Sequence, residues 1–304
     1  MNKVNRNIKT YLLIVVGFIA SACTTETEIQ FPVEVGENPE SITKGFDGNY
    51  YVTLINGQQE GDGEVVEISG NEVKPFASGF NDPKGIVFLN DHLYLSDVTR
   101  VWRVNSTGET EIFANAEDFP EDVRYLNDVA VDENESGIYV TDMGDVGSMR
   151  DENNNLWPLD SAEADSIAEV GRVYHIDLSG NISVAQDTSP LMLNPNGVGV
   201  DNTGNIMIGA FFLGNFLVKR NGELTPLEGQ FRGADAVEQD TEGNYYISSW
   251  ALGTVWKIDG GTEESTVLIE GLETAADFYL EEDKGRLLLP DMRAGIIYAV
   301  EINK

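Results

Sequence analysis

From residue 39 onward the chain repeats itself, and this repeat limits the possible folds more than any other feature. Each unit opens on a small or apolar residue followed by a polar one. These anchors are Pro39-Glu40, Pro83-Lys84, Leu126-Asn127, Pro195-Asn196, Ala234-Asp235 and Ala276-Asp277. Successive spacings are 44, 43, 69, 39 and 42 residues. After each anchor come a short apolar strand, a turn, and a stronger β-branched or aromatic strand. The stronger strands fall at 50–55, 93–97, 138–142, 206–210, 245–249 and 287–291. Two further strands follow in most units. A four-stranded propeller blade takes about 40–45 residues. Six units therefore predict an all-β, six-bladed β-propeller. Two packed sandwiches would not require a sustained repeat.

The last unit ends early. After Asp277 it offers an inner strand, a second near 287–289 and a third near 296–302, and then the chain stops. Its fourth strand is missing. Residues 28–35 have strand character and precede the first anchor. They are expected to pair on the outside of the sixth blade and close the ring.

Ahead of the repeat lies an address. Lys3, Arg6 and Lys9 precede an apolar run at 11–20, and Ser21, Ala22 and Cys23 follow. That order is a secretory signal. The apolar run is short of the roughly 20 residues of a membrane span. Small residues before the cysteine resemble a bacterial lipoprotein signal, with Ala20 where that family prefers Leu or Val. The resemblance implies that Cys23 carries lipid and becomes the mature N-terminus; without lipidation the protein would be secreted. The domain reading is a signal peptide at 1–22, a polar tether at 23–30 and a propeller at 31–304. The expected location is the bacterial cell envelope, on the periplasmic or outer-membrane side, held to the membrane by a lipid anchor.

Charge and cysteine count narrow the function. Asp and Glu number 52 against 19 Lys and Arg, a net charge of -33. Loss of residues 1–22 leaves 16 basic side chains and a net charge of -36. Such a field repels phosphate backbones, so no nucleic-acid partner is expected. One cysteine cannot build a disulfide framework or a Cys-based zinc site. The chain is expected to be a monomer.

Inner strands line the channel of a propeller, so their first residues meet at its mouth. The alignment puts Glu40, Lys84, Asn127, Asn196, Asp235 and Asp277 in one column. Crowded carboxylates lose solvation and repel, which protonation, pairing with Lys84 or a bound cation would relieve. Oxygens of Glu40, Asn127, Asn196 and Asp235 suit one divalent metal ion, calcium ahead of zinc or magnesium. Each anchor taken singly is equally an ordinary turn or strand-start residue. His92 and His175 lie outside the column and are not expected to bind metal. Asp97, Asp142 and Asp291 end second strands and are read as hairpin caps.

Blade three is oversized. The excess, about 144–170, follows a strand that returns to the mouth, so it should cover the column. It carries Met149 and Trp157 as candidate lid residues, and a short helix is conceivable within 160–170. The plainer reading is an acidic flap that touches no ligand.

Pro39-Glu40-Ser41-Ile42, Asn127-Asp128, Pro195-Asn196-Gly197 and Ala234-Asp235, in this order and one blade apart, resemble the senescence-marker/gluconolactonase family of six-bladed propellers. The resemblance runs from about 35 to 303. It implies a divalent metal held by Glu40, Asn196 and Asp235, with Asn127 completing the shell or touching substrate. The family's Arg-x-Asn-Asp is here one residue longer, from Arg124 to Asp128, and implies Arg124 as a substrate contact. The implied activity is metal-assisted hydrolysis of a small lactone or ester. The cation would polarise the carbonyl, and Asp235 would take a proton from the attacking water. Asn127 and Lys84 would orient substrate or stabilise the oxyanion; Asp277 would contact substrate. Equally, Lys84 would only balance Glu40 and Asp277. The alternative is a non-catalytic propeller that binds a ligand or a partner.

Overall fold

The computed structural model describes residues 29–57 and 59–303. The signal segment, Cys23 and nearly all of the tether lie outside the described residues. Six antiparallel four-stranded sheets make six blades, as the repeat predicts. The inner strands are Pro39–Lys44, Pro83–Leu89, Leu126–Val131, Pro195–Val200, Ala234–Gln239 and Tyr279–Glu281. Neighbouring blades bury their apolar faces against one another. Tyr51 and Val65 of blade one, for example, share a core with Ile86, Leu93 and Leu95 of blade two. Each such side chain contributes about 1.5–3 kcal/mol when fully buried.

The ring closes as expected. Val33–Glu34 adds to the outside of blade six, pairing Val33 with Ile297 and Glu34 with Ile296. The Val35 N–H donates to the Gly295 carbonyl at 3.0 Å. A second link spans the same seam. The Tyr50 hydroxyl of blade one donates to Glu281, which also accepts from Arg286 Nε at 2.7 Å. Glu281 is a fully buried carboxylate, so it needs these partners.

The inner strands of blades one to five carry the same irregularity. In blade one Pro39 pairs with Leu54 and Ile42 with Val52, so two residues, Glu40 and Ser41, oppose one, Thr53. Blades two to five repeat this bulge after Pro83, Leu126, Pro195 and Ala234. A bulge re-aims the side chains it displaces, and here those are the anchor residues. Hydroxyl groups opposite the bulges lock it. Thr53 Oγ1 takes the Ser41 N–H at 3.0 Å and donates to the Lys84 carbonyl of the next blade at 2.8 Å. Thr141 does the same between Asp128 and Asn196, and Ser248 between Ala236 and Ala276.

This latch corrects the sixth anchor. Ala275 bridges to Asp291, the place Pro39 holds opposite Leu54, and Ser248 grips the Ala276 carbonyl. Ala276 is therefore the counterpart of Glu40. Asp277 stands one place further on, level with Ser41 and Asp128. The anchor pair of blade six is therefore Ala275-Ala276, one residue before the Ala276-Asp277 expected from its likeness to Ala234-Asp235.

The insert lies between Gly137–Asp142 and Arg172–Asp177 of blade three. The helix conceivable at 160–170 is only a 3-10 turn, Ala164–Ser166.

Candidate functional site

Five bulges bring five anchor side chains to one mouth. Glu40, Lys84, Asn127, Asn196 and Asp235 line a cavity of about 420 Å³. Glu40, Asn127, Asn196 and Asp235 are only 2–4% exposed. A local device brings Asn196 against blade five. A Cβ on Gly197 would fall 1.7 Å from the Asp235 carbonyl oxygen. Only glycine lets the two strands approach so closely there.

The polar atoms of the floor are incompletely partnered. Glu40 Oε2, Asn196 Oδ1 and Asp235 Oδ1 are buried and accept no hydrogen bond. Buried oxygens rarely go without a partner. Asn127 directs its Nδ2 to Met143 Sδ at 3.0 Å, a weak acceptor. Burial raises the Glu40 carboxyl to about 8, against the lowering pull of Lys84. Burial also raises the Asp235 carboxyl, helped by the charge of Glu40. Both shifts express one fact: two carboxylates here lack a compensating charge.

The donor set fits a divalent cation on these observations. Two carboxylates carry the charge that one such ion neutralises, and all three orphaned atoms are the hard oxygens that calcium takes. The mouth holds two carboxylates and two carboxamides rather than the three carboxylates expected. Among the described residues no three His, Cys, Asp or Glu side chains group as a metal site.

Lys84 is otherwise engaged than expected. Its Nζ pairs with Asp82 at 3.2 Å and lies over the Tyr125 ring, whose hydroxyl donates to Asp82. Burial disfavours the ammonium, but Tyr125, Asp82 and Glu40 together keep its pKa above the ordinary lysine value.

Two candidate substrate contacts are elsewhere. Asp277 lies in the channel below the mouth, lining a separate cavity with Asp128 and Glu238. The Ser41 hydroxyl donates to it. Arg124 is exposed and does not line the mouth; its backbone N–H caps Asp142 at 3.2 Å. The extra residue in the Arg124 to Asp128 run puts Tyr125 at the cavity in its place. Asp97, Asp142 and Asp291 all accept backbone N–H groups from the loop entering their blade, as hairpin caps should.

The insert does cover the mouth. Val146, Gly147, Met149, Arg150 and Asn154 line the cavity. Trp157 does not; it packs behind Met149 with Ile167 and Phe212, and Arg232 donates to its carbonyl. Sequence reasoning missed the upper wall of Met143, Phe211, Trp250 and Met292. A signal existed, since each is the first residue after a second strand. Their N–H groups donate to the carbonyls of Tyr125, Asn194, Gly233 and Thr274.

No family model matches the sequence, and no curated protein does. Solved structures do match. A "putative gluconolactonase" superposes with a TM-score of 0.65 at 16% identity, covering 89% of this chain and 90% of its own. Virginiamycin B lyase from Staphylococcus aureus gives 0.57 at 12% identity, over 86% and 79%. A chain of a nidogen/laminin complex gives 0.58 at 14%, over 76% and 79%. At these identities the likeness carries the propeller fold alone. Propellers host unrelated activities, so function must be argued from the mouth.

Proposed function

We propose that the protein is a divalent-metal-dependent hydrolase of a small lactone or ester, exported and held in the bacterial envelope by lipid on Cys23. The observation that carries the reading is the set of three buried, unpartnered oxygens, Glu40 Oε2, Asn196 Oδ1 and Asp235 Oδ1, facing one cavity. The likeness to a gluconolactonase-type propeller supports it at the level of fold.

Glu40, Asn196 and Asp235 would hold the ion, with Asn127 beside them, and calcium suits this oxygen set best. A bound ion there supplies Lewis acidity toward an ester carbonyl. Asp235, as a residue that would hold the ion, would also take the proton from the attacking water. Asn127 is held against Met143, so its carboxamide can orient a substrate oxygen. Lys84, pinned by Asp82 and Tyr125, provides a fixed positive charge at the rim. Met143, Met149, Phe211 and Trp250 make an apolar wall that limits water around the reacting ester.

Three measurements test this. Calcium should raise the melting temperature of the wild-type protein and fail to do so for Asp235→Asn. Asp235→Asn should itself fold at least as stably in chelator, because it removes a buried charge. Hydrolysis of a panel of lactones and aryl esters should be lost in the same variant. Calcium stabilisation without turnover on any of them would favour the alternative, a ligand-binding propeller. For the anchor, Cys23→Ser should move the protein from the membrane fraction to the soluble fraction.

A further inference from the structure

Two arginines stand at the mouth with no acid to answer them. Arg150, from the insert, lines the cavity and lies 5.6 Å from the Trp250 ring centroid and 5.7 Å from that of Phe211. Arg293, from the loop after the second strand of blade six, lies 4.7 Å from the same Trp250 ring. Among the described residues neither forms an ion pair. Arg150 Nη1 donates only to the Asn154 carbonyl, at 3.1 Å. Arg293 is exposed and its backbone N–H donates to Thr274 Oγ1; among the described residues its guanidinium has no hydrogen-bond partner.

Among the described residues Arg103, Arg172 and Arg286 pair with a carboxylate; Arg100, Arg124, Arg220 and Arg232, like Arg150 and Arg293, do not, but of these six only Arg150 lines the inner cavity and only Arg150 and Arg293 share the Trp250 ring. Neither arginine is among the charges that act on the Glu40 and Asp235 carboxyls, so the pair does not answer the floor. Two like charges on one indole repel. Burial, and then the charge of Arg293, lowers the pKa of Arg150. An anion that contacts both guanidinium groups would relieve that repulsion.

The space is continuous with the floor. An outer groove of about 820 Å³ is lined by Arg293 and shares Lys84, Tyr125, Arg150, Asn154, Trp250 and Met292 with the inner cavity; Glu37, Glu60 and the Lys84-paired Asp82 also line it, and none of the three pairs with either arginine. A molecule can therefore reach both the acidic floor and the arginines.

We propose that Arg150 and Arg293, braced on Trp250, form a subsite for a carboxylate or similar oxyanion, so that the substrate is an anionic lactone or ester. This names the substrate class of the hydrolase reading and rests on that reading only for the reactive end of the molecule.

The test has two arms. In the first, sulfate and succinate are titrated separately into the full chain at constant ionic strength, in buffer with millimolar calcium, and tryptophan fluorescence is followed. Saturable quenching is expected, weakened at least roughly tenfold in Arg293→Gln and in Arg150→Gln. Thermal melting checks that both variants fold, and Arg293→Lys should fall between. No saturable binding, or equal binding by the variants, overturns the subsite. In the second arm, hydrolysis is compared for two lactones that differ only in a pendant carboxylate or its methyl ester. Preference for the carboxylate, lost in Arg293→Gln, supports the proposal. Equal rates on both overturn it and leave the hydrolase reading standing. Anion binding without hydrolysis of either lactone supports the subsite and counts against the hydrolase reading alone.

Discussion

The Thr141 hydroxyl of blade three donates to the backbone carbonyl of Asn196 in blade four, at 2.6 Å. It also accepts the Asp128 N–H at 2.9 Å, next to Asn127. One hydroxyl thus fixes two site residues on different blades. Thr141→Val should leave both backbone groups buried and unpartnered, at a cost of about 1–3 kcal/mol. Urea unfolding measures the loss. Calcium stabilisation should weaken with it, although Thr141 itself touches no ligand.

Gly197 sets the approach of blade four to blade five. Gly197→Ala would put a methyl group into the Asp235 carbonyl, which is backbone and cannot swing aside. About 2–4 kcal/mol of stability should go. Calcium should no longer raise the melting temperature, because Asn196 and Asp235 are pushed apart. A variant that kept normal calcium stabilisation would show that the close approach is structural only.

Asp277 contributes to a pH dependence beneath the mouth, together with Glu238 and Asp128, whose carboxyls burial also raises. Burial raises the Asp277 carboxyl from 3.8 to about 7, although hydrogen bonds from Ser41 and Asp128 pull it down. The native state therefore holds a proton that the unfolded chain releases. Between about pH 4 and pH 7 stability should fall as pH rises. Asp277→Asn should flatten that slope. Denaturation midpoints across the interval, for the two proteins side by side, give the answer.

The repeat of polar anchors and strong strands determined the six blades from sequence alone, because a four-stranded sheet of fixed size needs a fixed length of chain. The unfinished last unit likewise pointed to the segment at 28–35 as the strand that completes blade six, and Val33–Glu34 within it does so. Five of the six anchors were legible as one column for the same reason: a repeated position becomes a ring. Tertiary structure decided the sixth. Asp277 and Ala276 differ by one place, and only the Ser248 latch on Ala276 tells them apart. It also decided which cations reach the mouth. Arg124 lies near the anchor in sequence yet faces outward, whereas Arg150 and Arg293 come from segments far apart in the chain and meet on Trp250. Periodicity locates positions within a blade; the contacts that give a site its chemistry cross between blades, and no single repeat contains them.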